Sequence, residues 1–269
     1  MILALARPQA GQRSLETEMR GIDIMLALDI SGSMMAEDFK PNNRLTVAKK
    51  VLSDFVKGRK TDRMGLVIFA GESFTQSPLT FDYNIILDYL KQIRFGMIDD
   101  GTAIGMALAN CVNRLKPSRA KSKVIILLTD GENNSGLIDP VTAAQAASAM
   151  NIKIYTVGVG KLGGAPIPFF HPRFGKQYFR NEDGSFVLTK LDEKTLKEIA
   201  FITSGKYFRA TDAGSLKRIY QKIDSLEKTK IKARQFFQYN ELFGFLLWIA
   251  LFFILCYIVL ENIIFIKVP

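Results

Sequence analysis

Short uncharged runs alternate along this chain with segments whose apolar residues recur every third or fourth position. A parallel sheet with helices on both faces produces that alternation. "IDIMLALDI", Ile22 to Ile30, predicts an opening strand. A helix follows with Leu45, Ala48, Leu52 and Phe55 on one face, then a strand "MGLVIFA" from Met64 and a shorter extended piece near Phe74 to Leu79 at the sheet edge. The next two helices bury Ile86, Tyr89, Leu90 and Ile93, and Ile104, Ala107, Leu108, Cys111 and Leu115. They lead to "VIILLT", Val124 to Thr129, whose unbroken apolarity requires burial on both faces.

Pro140 opens the helix "PVTAAQAASAM", and "KIYTVGV" is a further central strand. A Gly, Pro and aromatic segment, Gly160 to Leu188, then breaks the pattern. Asp183-Gly184 within it lies between strand-like flanks, which predicts a hairpin inserted at about 161–189. A helix around Leu196, Ile199 and Ala200 stops at Gly205, "KYFRA" is the last strand, and Leu216, Ile219, Tyr220, Ile223 and Leu226 form the stripe of a final helix. The expected fold class is α/β, with a doubly wound, mostly parallel sheet.

The C-terminus changes the picture. "LFGFLLWIALFFILCYIVL", Leu242 to Leu260, carries no charge and no proline, and at about 1.5 Å per helical residue it approaches the roughly 30 Å thickness of a bilayer core. It predicts a transmembrane helix over 242–266, ending near Lys267. "MILALARPQ" at the start lacks the features of a signal peptide and is either a tail or the remnant of a longer apolar helix. The expected organisation is an N-terminal segment 1–20, a domain 21–227, a basic linker 228–241 and the membrane helix.

Formal net charge is +10, and much of it is local. Seven basic residues between Lys217 and Arg234 face only Asp224 and Glu227, next to the expected anchor, which suits contact with anionic lipid headgroups. No aromatic platform is interleaved with them, so nucleic acid is not an expected partner. Cys111 and Cys256 are not placed to pair, and the single histidine, His171, argues against a Ser-His-Asp triad. "GVGKLG", Gly158 to Gly163, has dinucleotide-fingerprint spacing, yet Gly164, Pro166 and Pro168 forbid the helix it must open.

Candidate chemistry gathers at strand ends. In "LALDISGSMM" an acid and two hydroxyls, Asp29, Ser31 and Ser33, occupy every second position, so an extended chain presents them on one side. Asp130 closes "VIILLTD", and Thr102 in "DDGTAIG" starts a helix that can reach the same crevice, the place where doubly wound sheets bind ligands. Five oxygen donors, three of them neutral, suit Mg²⁺ or Mn²⁺ better than Ca²⁺, and zinc would want nitrogen or sulfur. Asp99 and Asp100 either support such a site from outside or cap the helix, and Glu132, Asn133 and Asn134 are expected on its rim.

The series Asp29, Ser31, Ser33, then Thr102, then Asp130 in "TDG" resembles the metal-ion-dependent adhesion site (MIDAS) of von Willebrand factor type A (VWA) domains, over roughly Gly21 to Leu226. "ALARPQ", "GAPIP", "GKYFRATD" and the apolar terminus resemble the Bat-type aerotolerance membrane proteins of bacteria. The resemblance implies a non-enzymatic, membrane-tethered module. It would bind the Asp or Glu of a partner protein through its metal, in company with other Bat-type proteins and a MoxR-type AAA+ ATPase. Lys228, Lys230, Lys232 and Arg234 precede the expected helix, so a positive-inside count would set the domain in the cytoplasm. The resemblance implies a domain outside the inner membrane, and the periplasm is the expectation adopted. A Mg²⁺-dependent phosphohydrolase with Asp29 as nucleophile is the alternative, although such enzymes commonly want a second carboxylate where Ser31 stands.

Overall fold

The computed structural model describes residues 9–12, 21–120, 122–171, 173–228, 238–241, 247–248 and 251–255. In chain order the strands are β1 (Gln9–Gln12), β2 (Asp23–Asp29), β3 (Arg63–Phe69), β4 (Ser73–Thr80), β5 (Lys123–Thr129), β6 (Ile152–Val159), β7 (Pro168–His171), β8 (Gly175–Tyr178), β9 (Tyr207–Ala210) and β10 (Gln238–Glu241). The helices are α1 (Arg44–Lys57), α2 (Tyr83–Gln92), α3 (Ile104–Leu115), α4 (Pro140–Ala149), α5 (Glu193–Ile202) and α6 (Ala213–Lys228).

The chain divides into two compact units, Arg20–Ile231 and a second formed by Met1–Met19 with Lys232–Pro269. In the second, β1 pairs antiparallel with β10. The expected membrane helix falls mostly outside the described residues, as do residues 1–8 and most of the basic linker. Residues 247–248 and 251–255 are helical with exposed side chains. Among the described residues no helix is long and apolar enough to cross a membrane.

The larger unit is an α/β fold around a six-stranded sheet of order β4-β3-β2-β5-β6-β9. β3, β2, β5, β6 and β9 run parallel, and only β4 runs antiparallel, along β3. Alternate residues of each strand serve opposite faces. Leu26, Leu28, Leu66, Ile126 and Val157 pack under α1, α2 and α6 with Leu52, Leu90 and Tyr220. Met25, Ala27, Val67, Ile125 and Ile154 pack under α3, α4 and α5 with Leu108, Ala144 and Leu196. Such two-sided burial is why the central strands read as unbroken apolar runs.

Local signals set the element ends. Asn43, Asp139 and Asp192 each accept a hydrogen bond from a first-turn amide of α1, α4 and α5, satisfying donors that a helix start leaves open. Helix α5 ends with Ser204 in the left-handed region, φ 54°. Gly205 is needed for another reason: a Cβ there would lie 1.9 Å from the Ile154 carbonyl oxygen. After β6 the chain turns, with no helix following "GVGKLG". β7 and β8 then pair antiparallel, and Arg180 bridges to Phe186 around Gly184, whose φ is 81°.

The two sheet edges differ from the centre. The pairing of β4 with β3 shifts register twice, between Met64 and Leu66 and between Leu66 and Val67, and β9 is only four residues long. At the end of the sheet away from the strand carboxyl ends, Glu227 of α6 is buried and accepts from Tyr155 Oη (2.7 Å), Ser122 Oγ (2.7 Å) and Lys153 Nζ (3.1 Å). Arg59 pairs with Asp62 at 3.0 Å and with Asp224 at 2.7 Å, fastening the same helix to the α1–β3 connection.

Candidate metal centre

β2 and β5 lie side by side, Leu28 opposite Leu128, with β3 and β4 to one side and β6 and β9 to the other. Strand order therefore turns between them, and their carboxyl ends open the crevice where ligands bind in such sheets. Asp29 is the last residue of β2, and its carboxylate is fully buried. Its Oδ1 accepts the Ser31 N–H at 2.9 Å and its Oδ2 accepts the Thr129 hydroxyl at 2.5 Å. Ser31 stays extended (φ −61°, ψ 165°) before a short 3₁₀ turn, Gly32–Met35. Ser31 Oγ and Ser33 Oγ lie 3.0 Å apart, and the Ser33 hydroxyl donates to Asp130 Oδ1 at 2.5 Å. Four of the five expected residues thus form one connected cluster.

Thr102 reaches the cluster from another direction. It is buried, and its Oγ1 lies 3.2 Å from where a Cβ on Gly131 would stand, so it packs against the residue that follows Asp130. Its backbone is pinned: the Thr102 N–H donates to Asn134 Oδ1 at 2.8 Å, and its carbonyl accepts from the amides of Asn134 (3.1 Å) and Ser135 (3.3 Å). Among the described residues no hydrogen bond joins the Thr102 hydroxyl to the other four. Asn133 accepts from the Gly105 N–H at 3.3 Å, so these two asparagines fix the start of α3 instead of only lining a rim. Asp100 accepts the Gly32 N–H at 2.7 Å, which braces the serine loop from outside.

Sequence reasoning missed the most connected residue of the site. Arg44, the first residue of α1, is 1% exposed. Its guanidinium donates to Asp130 Oδ2 at 2.5 Å, to both oxygens of Asp38 at 2.8 and 2.7 Å, and to Thr189 Oγ1 at 3.1 Å. Asp38 also accepts the Lys161 N–H at 3.0 Å. One buried cation therefore ties the first serine loop, the β5 carboxylate and both ends of the β6–α5 insertion. A signal was present: Arg44 falls on the stripe of Ala48, Val51 and Phe55, and an arginine on an apolar helix face needs buried acids to meet it.

The charges do not balance. Burial, and after it the neighbouring Asp130 charge, pushes the Asp29 carboxyl up to about 7 against the hydrogen bonds from Ser31 and Thr129. Burial also raises Asp130, with Arg44 opposing it. Burial works to raise Asp38 too, but its two hydrogen bonds to Arg44 win and hold it below the usual carboxylate range. Asp38 takes two of the guanidinium's hydrogen bonds and Asp130 one, and Asp29 has only neutral partners, the Ser31 amide and the Thr129 hydroxyl. Two buried carboxylates short of cationic charge, with the hydroxyls of Ser31, Ser33 and Thr129 beside them, fit a small hard cation. Among the described residues no three His, Cys, Asp or Glu side chains gather to hold a metal, so the hydroxyls carry the balance of this donor set.

Comparison with known proteins agrees with this fold. The chain is 37% identical to the conserved hypothetical protein BatB of Bacteroides thetaiotaomicron, whose solved structure it matches with a TM-score of 0.68 over 77% of this chain and 100% of that one. An aerotolerance-related membrane protein of Bacteroides fragilis matches with a TM-score of 0.67 at 37% identity, over 76% and 100% of the two chains. An uncharacterized protein of Borreliella burgdorferi is 30% identical over 98% of this chain and 75% of its own length. The chain spans only 60% of a UPF0353 protein of Mycolicibacterium paratuberculosis, at 28% identity. Residues 23–222 match the family described as the von Willebrand factor type A domain. That match covers most of the chain and both sides of the cluster, and the protein belongs to the VWA family.

Proposed function

We propose that this protein is a non-enzymatic interaction module that captures an acidic residue of a partner protein through a Mg²⁺ or Mn²⁺ ion held by Asp29, Ser31, Ser33, Thr102 and Asp130. The convergence of Ser31, Ser33 and Asp130 within hydrogen-bonding distance, from segments 97 residues apart, carries the reading. A bound cation would supply an electrophilic position for a carboxylate. The hydroxyls bind it without neutralising it, the two buried acids hold it, and Arg44 draws off part of the Asp130 charge. A partner's Asp or Glu then completes the shell.

The phosphohydrolase alternative is less well supported, because Ser31 stands two residues after Asp29, where such enzymes commonly carry a second carboxylate as acid or base. In the favoured reading the stretch 242–266 anchors the protein in the bacterial inner membrane with the VWA domain in the periplasm. Other Bat-type proteins and a MoxR-type AAA+ ATPase are its working company in stress tolerance or complex assembly. Its likeness to an aerotolerance-related membrane protein supports that setting. The test is Mg²⁺ calorimetry together with affinity capture from membranes, using wild type and Asp130→Ala, with Mg²⁺ and with chelator. The reading expects heat of binding and capture for wild type in Mg²⁺ alone. Equal capture in all four conditions would sink it.

A further inference from the structure

A cavity of about 830 Å³ opens beside the cluster, between the end of β6 and the hairpin that carries Phe186. Arg44 and Asp130 form its inner wall, so it backs onto the proposed metal position, with the Arg44 guanidinium on Asp130 Oδ2 between the two. Resting on the metal reading above, we propose that this cavity seats the residues flanking the partner's metal-bound acid. The occupant is an extended acidic segment in which an aromatic or branched aliphatic side chain lies near the coordinating carboxylate and a second acid follows.

The chemistry of the wall carries the assignment. Its charged groups are already satisfied by one another: buried Arg44 by Asp38, Asp130 and Thr189, and half-buried Arg209 by Glu193 and the carbonyls of Gly160 and Lys161. A small-molecule site needs a few buried polar groups left to orient its ligand, and these have been used. The outer wall offers apolar surface instead, with Leu162 81%, Phe186 42% and Leu188 45% exposed. Two lysines flank it, and among the described residues neither Lys161 nor Lys190 has a side-chain ion pair. Both stand on fixed backbone. The Lys161 amide is bonded to Asp38, and Lys190 follows Thr189, which Arg44 holds. Rigidly mounted, unpaired cations around an apolar surface complement an acidic and apolar chain that is anchored elsewhere. A peptide tethered at the metal meets that description, because the second contact then forms at high effective concentration.

The experiment pans a random peptide library against the full chain in detergent with Mg²⁺, then measures the affinity of a retained peptide. The expected motif is an Asp or Glu, an aromatic or branched aliphatic residue within a few positions, and a second acid. Its binding should vanish in chelator. It should weaken by roughly tenfold in Lys161→Glu/Lys190→Glu, whose changes lie on exposed side chains, and by less in Lys161→Gln/Lys190→Gln. Mg²⁺-dependent peptides that bind both lysine variants as tightly as wild type would overturn the cavity assignment and leave the metal reading standing. Inorganic phosphate or ATP binding tightly without any peptide preference, and lost in the lysine variants, would give the cavity to a small anion and also overturn it. Retention of no Mg²⁺-dependent peptide would overturn both readings.

Discussion

Arg44→Met is the most informative perturbation of the site. The thioether keeps most of the volume of the side chain and removes the charge, leaving Asp38 and Asp130 buried without the cation that now contacts both at 2.5–2.8 Å. Stripping one partner from a buried ion pair costs about 3–5 kcal/mol. For a domain of about 150–250 residues that lowers Tm by about 6–20 °C. The loss should shrink as pH falls, because protonated Asp38 and Asp130 no longer need a counter-charge. Adding Asp130→Asn should recover part of it, giving a coupling energy of about 1–3 kcal/mol in a double-mutant cycle. Mg²⁺ supplies a second control: with one positive charge gone the site holds it more tightly, so saturating Mg²⁺ should raise the Tm of the variant more than that of wild type. Thermal melts of the full chain in detergent, with Mg²⁺ and with chelator, read all three. A loss under about 1 kcal/mol in chelator, or equal Mg²⁺ stabilisation of both proteins, would refute the role given to Arg44.

Other outcomes follow from the same geometry. Gly131→Ala places a methyl 3.2 Å from Thr102 Oγ1, so calorimetry should find Mg²⁺ affinity weakened by about tenfold with Tm nearly unchanged. Because the folded Asp29 carboxyl stands near 7, above its unfolded value, the metal-free protein binds extra protons between about pH 4 and 7 and loses stability as pH rises through that window. Mg²⁺ must displace that proton, so its affinity should strengthen from about pH 5 to 8, with buffer-dependent heats reporting proton release. Glu227 has the opposite sign. Burial works to raise its carboxyl, but hydrogen bonds from Tyr155, Ser122 and Lys153 hold it below its unfolded value. Its stabilisation is therefore present above about pH 4.5 and lost as pH falls. Glu227→Gln should cost about 1–3 kcal/mol at pH 7 and flatten the acid limb of a Tm-against-pH curve.

The alternation of apolar runs and amphipathic segments made the sheet and its covering helices legible, because two-sided burial leaves no choice of residue in the central strands. The serine loop was legible because the i, i+2 spacing of Asp29, Ser31 and Ser33 survives directly as geometry. Thr102 and Asp130 could be named from their positions at element ends. The second layer could not be read so easily. Asp38, Arg44 and Thr189 meet through contacts up to 145 residues apart, and each looks alone like an ordinary loop or helix-start residue. The turn after α5 shows the same limit: a glycine marks it, but Ser204 takes the left-handed conformation and Gly205 answers to the Ile154 backbone.

An open sheet invites lateral growth, since each unpaired border can recruit the border of a neighbouring copy. Here one border is four residues long, and the other carries Pro78 and two slips in its pairing, so neither offers a straight row of free amides and carbonyls for a second molecule to zip onto. Crowded copies of this domain are thereby kept from fusing side by side. In the proposed reading, selective attachment falls to the strand tips, where it depends on an ion and on the charge of whatever arrives.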